Sequence, residues 1–148
     1  MAEAQLSEFL KAFTSRISEA RLGETEADEI MPVNPREIAL TETFLGDLGD
    51  IGHVGDCEVV YFEKRLGRSK GKINAYSISD DGYQVDLVVT LQGSDNAKQR
   101  RRIPASEINT AAKNALHFFR STKQPFHNAM EPASPEYDMV SRLHENYD

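Results

Sequence analysis

The sequence has one cysteine, no tryptophan and no long apolar run. Cys57 has no partner within the chain, so an intramolecular disulfide is excluded and a reducing compartment is favoured. No stretch approaches the roughly 20 consecutive apolar residues that a membrane-spanning helix requires. The first residues carry acids instead of a basic segment followed by an apolar run, so no signal peptide is predicted. We therefore expect a cytoplasmic location.

The chain also lacks positive charge relative to negative charge. Seventeen Lys and Arg stand against 24 Asp and Glu, which gives a formal net charge of -7. This balance argues against general attraction to nucleic acid or to an anionic membrane, although a local basic patch can still bind either. The length of 148 residues predicts a single domain covering residues 1–148.

Three segments have the apolar spacing of a helix that buries one face. The first is predicted over residues 4–21, with Gly23 as its stop signal, and the second over residues 40–50. The third follows Pro104, and its predicted buried face consists of Ile108, Ala111, Ala112, Ala115, Leu116 and Phe119. Residues 123–135 are predicted as a loop that leads into a terminal helix, for which Ser134 is the expected cap.

Between the second and third helices the chain is rich in β-branched and aromatic residues, which indicates strands. Strands are predicted over residues 57–63, 72–79 and 83–92. A loop is predicted over residues 64–71, and Asp80-Asp81-Gly82 is a tight-turn signal. One face of the third strand carries four apolar residues, Val85, Leu87, Val89 and Leu91, and the opposite face carries Val88. Apolar residues on both faces predict a central strand that is covered on both sides. The fold class is therefore α/β (α+β): a small central sheet of three or more strands flanked by helices, in the order α-α-β-β-β-α-α.

Several segments in this order resemble a known family. They are residues 42–48 (ETFLGDL), 59–62 (VVYF), 72–78 (KINAYSI), 80–82 (DDG) and 131–138 (EPASPEYD). Together they are similar to the amino-terminal domain of the abortive-infection phage-resistance (AIPR) proteins of bacteria. The resemblance implies a restriction-endonuclease-like fold with a PD-(D/E)xK nuclease core. It also implies that the chain is a fragment of a larger AIPR-type protein, whose remainder is its first expected partner.

Two departures from the family put catalysis in doubt. The family has Asp-Gly-Tyr where this chain has Asn74-Ala75-Tyr76, and an acid where it has Thr90-Leu91-Gln92. A nuclease of this fold needs clustered carboxylates to hold Mg²⁺ at the scissile phosphate. The acids that remain are weak catalytic candidates, namely Asp80, Asp81 and Asp86. No cofactor is therefore expected, and Mg²⁺ enters only if the chain retains nuclease activity.

The other chemistry-bearing residues form no recognisable motif. The four histidines, His53, His117, His127 and His144, lack metal-binding spacing, so no metal site is predicted. The glycines at positions 46, 49, 52 and 55 lack the GK[ST] ending of a phosphate-binding loop.

Basic residues are concentrated in two segments. Nine of the 17 Lys and Arg lie there. They are Lys64, Arg65, Arg68, Lys70 and Lys72 around the first hairpin, and Lys98, Arg100, Arg101 and Arg102 after the third strand. In an antiparallel meander, the connections after the first and third strands emerge at the same end of the sheet. The pattern predicts a basic patch that contacts the phosphates of DNA or RNA. The alternatives are two solvated loops or a surface that pairs with an acidic part of the same larger protein.

The sequence thus favours a non-catalytic scaffold or interaction domain of a phage-defence protein, with nucleic acid as a candidate partner. Two other functions remain open. One is a residual metal-dependent nuclease, and the other is a stand-alone oligomerisation adaptor that forms homo-oligomers.

Overall fold

The computed structural model describes residues 2–25, 35–92 and 102–147, and within the first helix the side chains of residues 4–19. The helices are α1 (Ala2–Thr25), α2 (Pro35–Asp50), α3 (Ala105–Ser121) and α4 (Pro135–Glu145). The strands are β1 (Glu58–Leu66), β2 (Ser69–Ile78) and β3 (Val85–Val88), and a 3₁₀ turn spans Phe126–Ala129. The predicted mixed class and the order α-α-β-β-β-α-α are confirmed.

The described elements fall into two compact units. One contains α1 and α2, and the other contains the sheet, α3, the 3₁₀ turn and α4. The single domain expected over residues 1–148 remains a prediction. None of the described helices is both long and apolar enough to cross a membrane.

In the first unit, α1 and α2 are joined by an ion pair and an aromatic cluster. Arg16 donates two hydrogen bonds to the carboxylate of Asp47, at 2.7 and 2.9 Å. This bidentate contact lowers the pKa of Asp47, chiefly through the hydrogen bond from Arg16. The ring of Phe13 lies 5.7 Å from that of Phe9 and 6.3 Å from that of Phe44, measured between centroids.

Both predicted limits of α1 and the predicted start of α2 were wrong, whereas the predicted end of α2 at residue 50 is confirmed. Helix α1 continues past Gly23 to Thr25, because a glycine inside a helix costs only about 1 kcal/mol and ends it only when the following residues cannot continue. Helix α2 begins at Pro35, five residues before its predicted start. Proline fits a first helical turn because the N–H that it lacks would have no partner within the helix.

The sheet is an antiparallel meander with the strand order β1-β2-β3. The register pairs Phe62 with Ile73 and Arg65 with Lys70, and it shifts between Val59 and Phe62, as in a β-bulge. The predicted loop over residues 64–71 was wrong, because only Gly67 and Arg68 form the turn. Gly67 has φ of 65°, a left-handed conformation that glycine adopts without steric cost. The tight turn at Asp80-Asp81-Gly82 is confirmed.

The third strand was also mispredicted. Strand β3 covers only Val85–Val88 and lies at the edge of the described sheet, whereas β2 is the central strand. Its ladder ends where the Oδ1 atom of Asn74 accepts a hydrogen bond from the Thr90 N–H at 2.8 Å. A continued register would place Thr90 opposite Ile73, so a side chain has replaced the main-chain acceptor.

The core of this unit joins the sheet to α3 and α4. Phe118 of α3 packs on Phe62, with ring centroids 4.8 Å apart. The buried side chains of α3 are Ala115 and Phe118, while Ile108 and Leu116 are 52% and 44% exposed. The predicted buried face was therefore rotated from the real one. The absence of a side chain at Gly71 permits this packing, because a Cβ there would lie 3.2 Å from Phe118 Cβ and 2.8 Å from Leu66 Cδ1.

The C-terminal segment follows the prediction closely. Ser134 caps α4 by accepting a hydrogen bond from the Tyr137 N–H at 3.2 Å, and Pro135 occupies the first turn. Met139, Val140 and Leu143 are fully buried in the core. The predicted loop over residues 123–135 contains the 3₁₀ turn, which buries His127.

Candidate nucleic-acid interface

Of the nine predicted basic residues, six lie within the described residues. Lys64, Arg65, Lys70 and Lys72 are in the paired strands β1 and β2, and Arg68 is in the turn between them. We call this segment, residues 64–72, the basic hairpin. Arg102 is exposed and belongs to the unit of α1 and α2. Lys98, Arg100 and Arg101 lie outside the described residues, so the contribution of the second basic segment remains a prediction.

The exposed tip of the basic hairpin carries three cations that no carboxylate of the described residues neutralises. Lys64, Arg65 and Arg68 are exposed and make no ion pair with an acidic side chain in the described parts of the chain. The ammonium of Lys64 lies 5.6 Å from the ring centroid of Phe62, so its stem covers an aromatic side chain while its charge stays in water. These cations are available to an anionic partner.

Nearer the middle of the sheet, the hairpin lysines are partly neutralised. The carboxylate of Glu63 forms an ion pair with Lys70 and lies 4.0 Å from the Lys72 ammonium. It also accepts a hydrogen bond from the Tyr61 hydroxyl. The hydrogen bond from Lys70, followed by that from Tyr61, lowers the pKa of Glu63. Glu63 therefore stays ionised and opposes the charge of both lysines near neutral pH.

A groove of about 340 Å³ lies beside Lys70 and Lys72. Val89 and Leu91, which follow β3, form part of its wall, and α3 contributes the polar side chains of Ser106, Glu107, Thr110 and Asn114, one of them an acid. The chain that leaves β3 is therefore at the same end of the sheet as the basic hairpin, as the antiparallel topology requires. No signal in the sequence marks the α3 residues of this groove, because their spacing is that of an ordinary helix.

The predicted catalytic acids lie elsewhere on the sheet. Asp80 and Asp81 are in the β2–β3 turn, at the end opposite the basic hairpin. Asp81 accepts hydrogen bonds from the Ser79 hydroxyl at 2.6 Å and from the Tyr83 N–H at 3.1 Å, and these bonds lower its pKa. Its carboxylate therefore holds the turn together.

Asp86 lies on the edge strand β3, with its side chain exposed. Its carboxylate accepts hydrogen bonds from the Gln84 amide at 3.0 and 3.2 Å and a longer one from the Ser77 hydroxyl at 3.4 Å. Across residues 4–19, 35–92 and 102–147, no three His, Cys, Asp or Glu side chains are close enough together to hold a metal ion.

Asn74 is the residue at which the resemblance to the family implies an acid. Its side chain is 1% exposed and its Oδ1 atom accepts a hydrogen bond from the Thr90 N–H, so the structure joins the two segments in which the resemblance implies a departure. The single thiol is not activated: partial burial is the main cause that raises the pKa of Cys57.

The fold and this surface define a mixed α/β domain with an antiparallel sheet and a basic hairpin. A family model described as the abortive infection phage resistance protein N-terminal domain matches residues 40–148, from within α2 through α4. The chain therefore belongs to this family, and it is a domain of a phage-defence protein. The predicted resemblance is confirmed, whereas the nuclease core and the contact with nucleic acid remain predictions. No curated protein and no solved structure matches the chain.

Proposed function

We propose that this domain is a non-catalytic interaction module of a phage-defence protein, and that it contacts nucleic-acid phosphates through the basic hairpin. The observation that carries the proposal is the group of exposed cations at the hairpin tip, Lys64, Arg65 and Arg68, which pair with no acid among the described residues of a chain of net charge -7. Because the rest of the chain carries an excess of acids, binding is confined to this end of the sheet, and the domain does not coat nucleic acid indiscriminately.

The chemistry of the hairpin favours phosphate over base recognition. Its cations are long flexible side chains at the end of a β-ribbon, and such residues neutralise backbone phosphates and release counterions. Three to five contacts of this kind predict that the logarithm of duplex affinity falls by roughly 2.7 to 4.5 per tenfold increase in salt. No aromatic residue interleaves with Arg65 and Arg68, so stacking of single-stranded bases is not favoured.

The positions of the acids support a non-catalytic role. Asp80 and Asp81 lie at the opposite end of the sheet from the basic hairpin, and Asp81 is occupied by hydrogen bonds of its own turn. Asn74, at the family's acidic position, is neutral and buried against Thr90. A metal-dependent nuclease needs carboxylates beside the scissile bond. A phosphate held by the hairpin would lie far from the carboxylates of this turn.

The test is a binding titration of labelled double-stranded DNA, single-stranded DNA and RNA from low to physiological salt. The diagnostic variant is Arg65→Ala/Arg68→Ala. The matched control is Lys113→Ala/Arg120→Ala, which removes two positive charges from exposed positions on α3 of the same unit. We expect the hairpin variant to lose about tenfold in duplex affinity and to reduce the salt slope by roughly 2, while the control changes little.

Three outcomes would redirect the proposal. Absence of binding at low salt, or an equal loss in both double variants, contradicts the hairpin interface and leaves a scaffold that binds protein. Cleavage that requires Mg²⁺ or Mn²⁺ and is lost in Asp86→Ala supports the nuclease alternative. A dimer that persists on dilution, without affinity for nucleic acid, supports the oligomerisation adaptor. The variant Arg100→Ala/Arg101→Ala/Arg102→Ala, measured in parallel, tests the second basic segment.

A further inference from the structure

Two histidines that are 17 positions apart in the sequence face each other between the 3₁₀ turn and α4. The rings of His127 and His144 have centroids 5.5 Å apart and planes tilted by 46°. Two imidazoles that bind one tetrahedral ion at about 2.0–2.1 Å have centroids roughly 5 Å apart. The separation of the two rings is therefore close to that of two imidazoles on one metal ion.

The hydrogen bonding of His144 prepares it as a ligand. Its Nδ1 atom lies 2.9 Å from the carbonyl oxygen of Thr122. A carbonyl can only accept a hydrogen bond, so Nδ1 carries the proton and Nε2 of the neutral ring holds the lone pair. Donation of the second ring N–H to a backbone carbonyl is the arrangement that orients metal-binding histidines and fixes their tautomer.

His127 provides the second, independent observation. Its side chain is only 8% exposed, and within the described residues its buried Nδ1 atom has no hydrogen-bond partner. An unsatisfied buried nitrogen is destabilising, and coordination to a metal ion would satisfy it. The ring of Tyr137, whose centroid lies 5.4 Å from that of His127, packs edge-on and restrains its orientation.

We propose that His127 and His144 form a binding site for a divalent transition-metal ion. No third His, Cys, Asp or Glu joins them among the residues that the structure describes, so these two imidazoles are the protein ligands of the proposed site. Two neutral imidazole nitrogens favour Cu²⁺, followed by Ni²⁺ and Zn²⁺, and disfavour Mg²⁺. The site ties the 3₁₀ turn to the last turn of α4. It is independent of the proposed contact with nucleic acid.

The experiment titrates the whole chain with Cu²⁺ and, separately, with Zn²⁺ in a buffer that does not bind metals, by calorimetry and thermal melting. We expect one ion per chain and a rise in Tm on binding. The diagnostic variant is His144→Asn, because the Asn amide nitrogen replaces Nδ1 and keeps the bond to Thr122 while Nε2 is lost. His127→Gln removes the other nitrogen. Each substitution should weaken binding at least tenfold.

The remaining histidines are the controls. His53→Gln changes an exposed residue of the other unit. His117→Gln keeps a donor for the Leu66 carbonyl, which His117 Nε2 contacts at 2.8 Å. Both variants should bind metal like the native chain. Absence of saturable binding, unchanged affinity in a folded His144→Asn, or an equal loss in His53→Gln would overturn the proposal.

If His127→Gln does not fold, NMR of the native chain replaces it. Sub-stoichiometric Cu²⁺ should broaden the ring signals of His127 and His144 together and before those of His53 and His117. Broadening that begins at His53 or His117 would contradict the site.

Discussion

The Oδ1 atom of Asn74 accepts a hydrogen bond from the backbone N–H of Thr90 at 2.8 Å, although the two residues are 16 positions apart. Asn74 is in the central strand β2, and Thr90 lies two residues beyond the end of the edge strand β3. The backbone hydrogen bonds between β2 and β3 stop near this point. The buried side-chain amide of Asn74 holds the segment that follows β3 against the sheet. It therefore sets the direction in which the chain leaves β3 toward the groove wall of Val89 and Leu91.

Replacement of this amide should release the chain after β3. Asn74→Ala leaves the Thr90 N–H without its acceptor and leaves a small cavity in the sheet, so we expect a loss of roughly 1–3 kcal/mol in the free energy of unfolding. Hydrogen exchange locates the effect, because the Thr90 amide should exchange faster. The Tyr76 amide, within the β2 strand, is the internal control. An unchanged rate at Thr90 would show that this hydrogen bond does not restrain the chain.

The close approach of Gly71 to α3 predicts a second sensitive position. Gly71→Ala would place a Cβ 2.8 Å from Leu66 Cδ1 and 3.2 Å from Phe118 Cβ, so the helix or the hairpin must shift. We expect a destabilisation of about 1–3 kcal/mol, measured by denaturant unfolding. Gly46→Ala is the opposite case, because Gly46 lies inside α2 and a Cβ added there would meet nothing within 4 Å among the described residues. It should stabilise by about 0.5–1 kcal/mol. The same sign for both variants would contradict the packing of α3.

Local signals predicted most of the elements but not the way in which they pack. The cap at Ser134 and the turn at Asp80-Asp81-Gly82 depend on contacts within a few residues, and both were correct. The face of α3 was wrong because Ala111, Ala112, Ala115 and Leu116 permit several helix rotations. The choice among these is made by Phe118, which enters the space left by Gly71 some 47 positions earlier. Such a contact leaves no periodic signal in the helix.

The same limit applies to the candidate sites. The basic residues of the hairpin could be recognised in the sequence because charge clusters are local. The length of the hairpin could not be recognised in the sequence. Strand pairing places Arg65 directly opposite Lys70, although like charges in this position repel each other. The ion pairs of Glu63 with Lys70 and Lys72 relieve that repulsion. The sequence spacing of His127 and His144 predicted no metal site and gave no sign of their proximity, because only the path of the 3₁₀ turn brings their rings together.

Stability at alkaline pH should depend on Tyr76. Its side chain is 1% exposed, and its hydroxyl donates to Glu58 at 3.0 Å and accepts from Arg142 at 3.0 Å. Burial, followed by the contact with Glu58, raises the pKa of Tyr76 to about 12. A raised pKa means that the folded state holds the proton more tightly than the unfolded state. This contribution is complete below pH 10 and is lost as the pH rises from 10 to 12.

The measurement is the free energy of unfolding between pH 8 and 12 for the native chain and for Tyr76→Phe. The native chain should lose roughly 2 kcal/mol more than the variant over this interval, because the variant has no hydroxyl to ionise. All other ionisable groups are the same in both proteins, so the difference isolates the tyrosine. Tyr83→Phe, at an exposed turn position, should follow the native curve. Parallel curves for the native chain and Tyr76→Phe would refute the argument.

Glu63 offers a test of the basic hairpin in which the expected change is a gain. Its carboxylate opposes the charges of Lys70 and Lys72, so Glu63→Gln should leave both lysines more available to phosphate. We expect duplex DNA to bind about two- to fivefold more tightly at low salt, with a salt slope steeper by roughly 1. Glu131→Gln removes the same charge from an exposed position outside the hairpin and controls for the change in net charge.

The two glutamine variants distinguish a local from a general electrostatic effect. If both increase affinity equally, net charge governs binding and the hairpin is not the interface. If Glu63→Gln alone increases affinity, Lys70 or Lys72 contacts the phosphates, and the adjacent groove lies along the path of the nucleic acid. A decrease with Glu63→Gln, in a protein that remains folded, would mean that Glu63 orients these lysines for binding rather than opposing it.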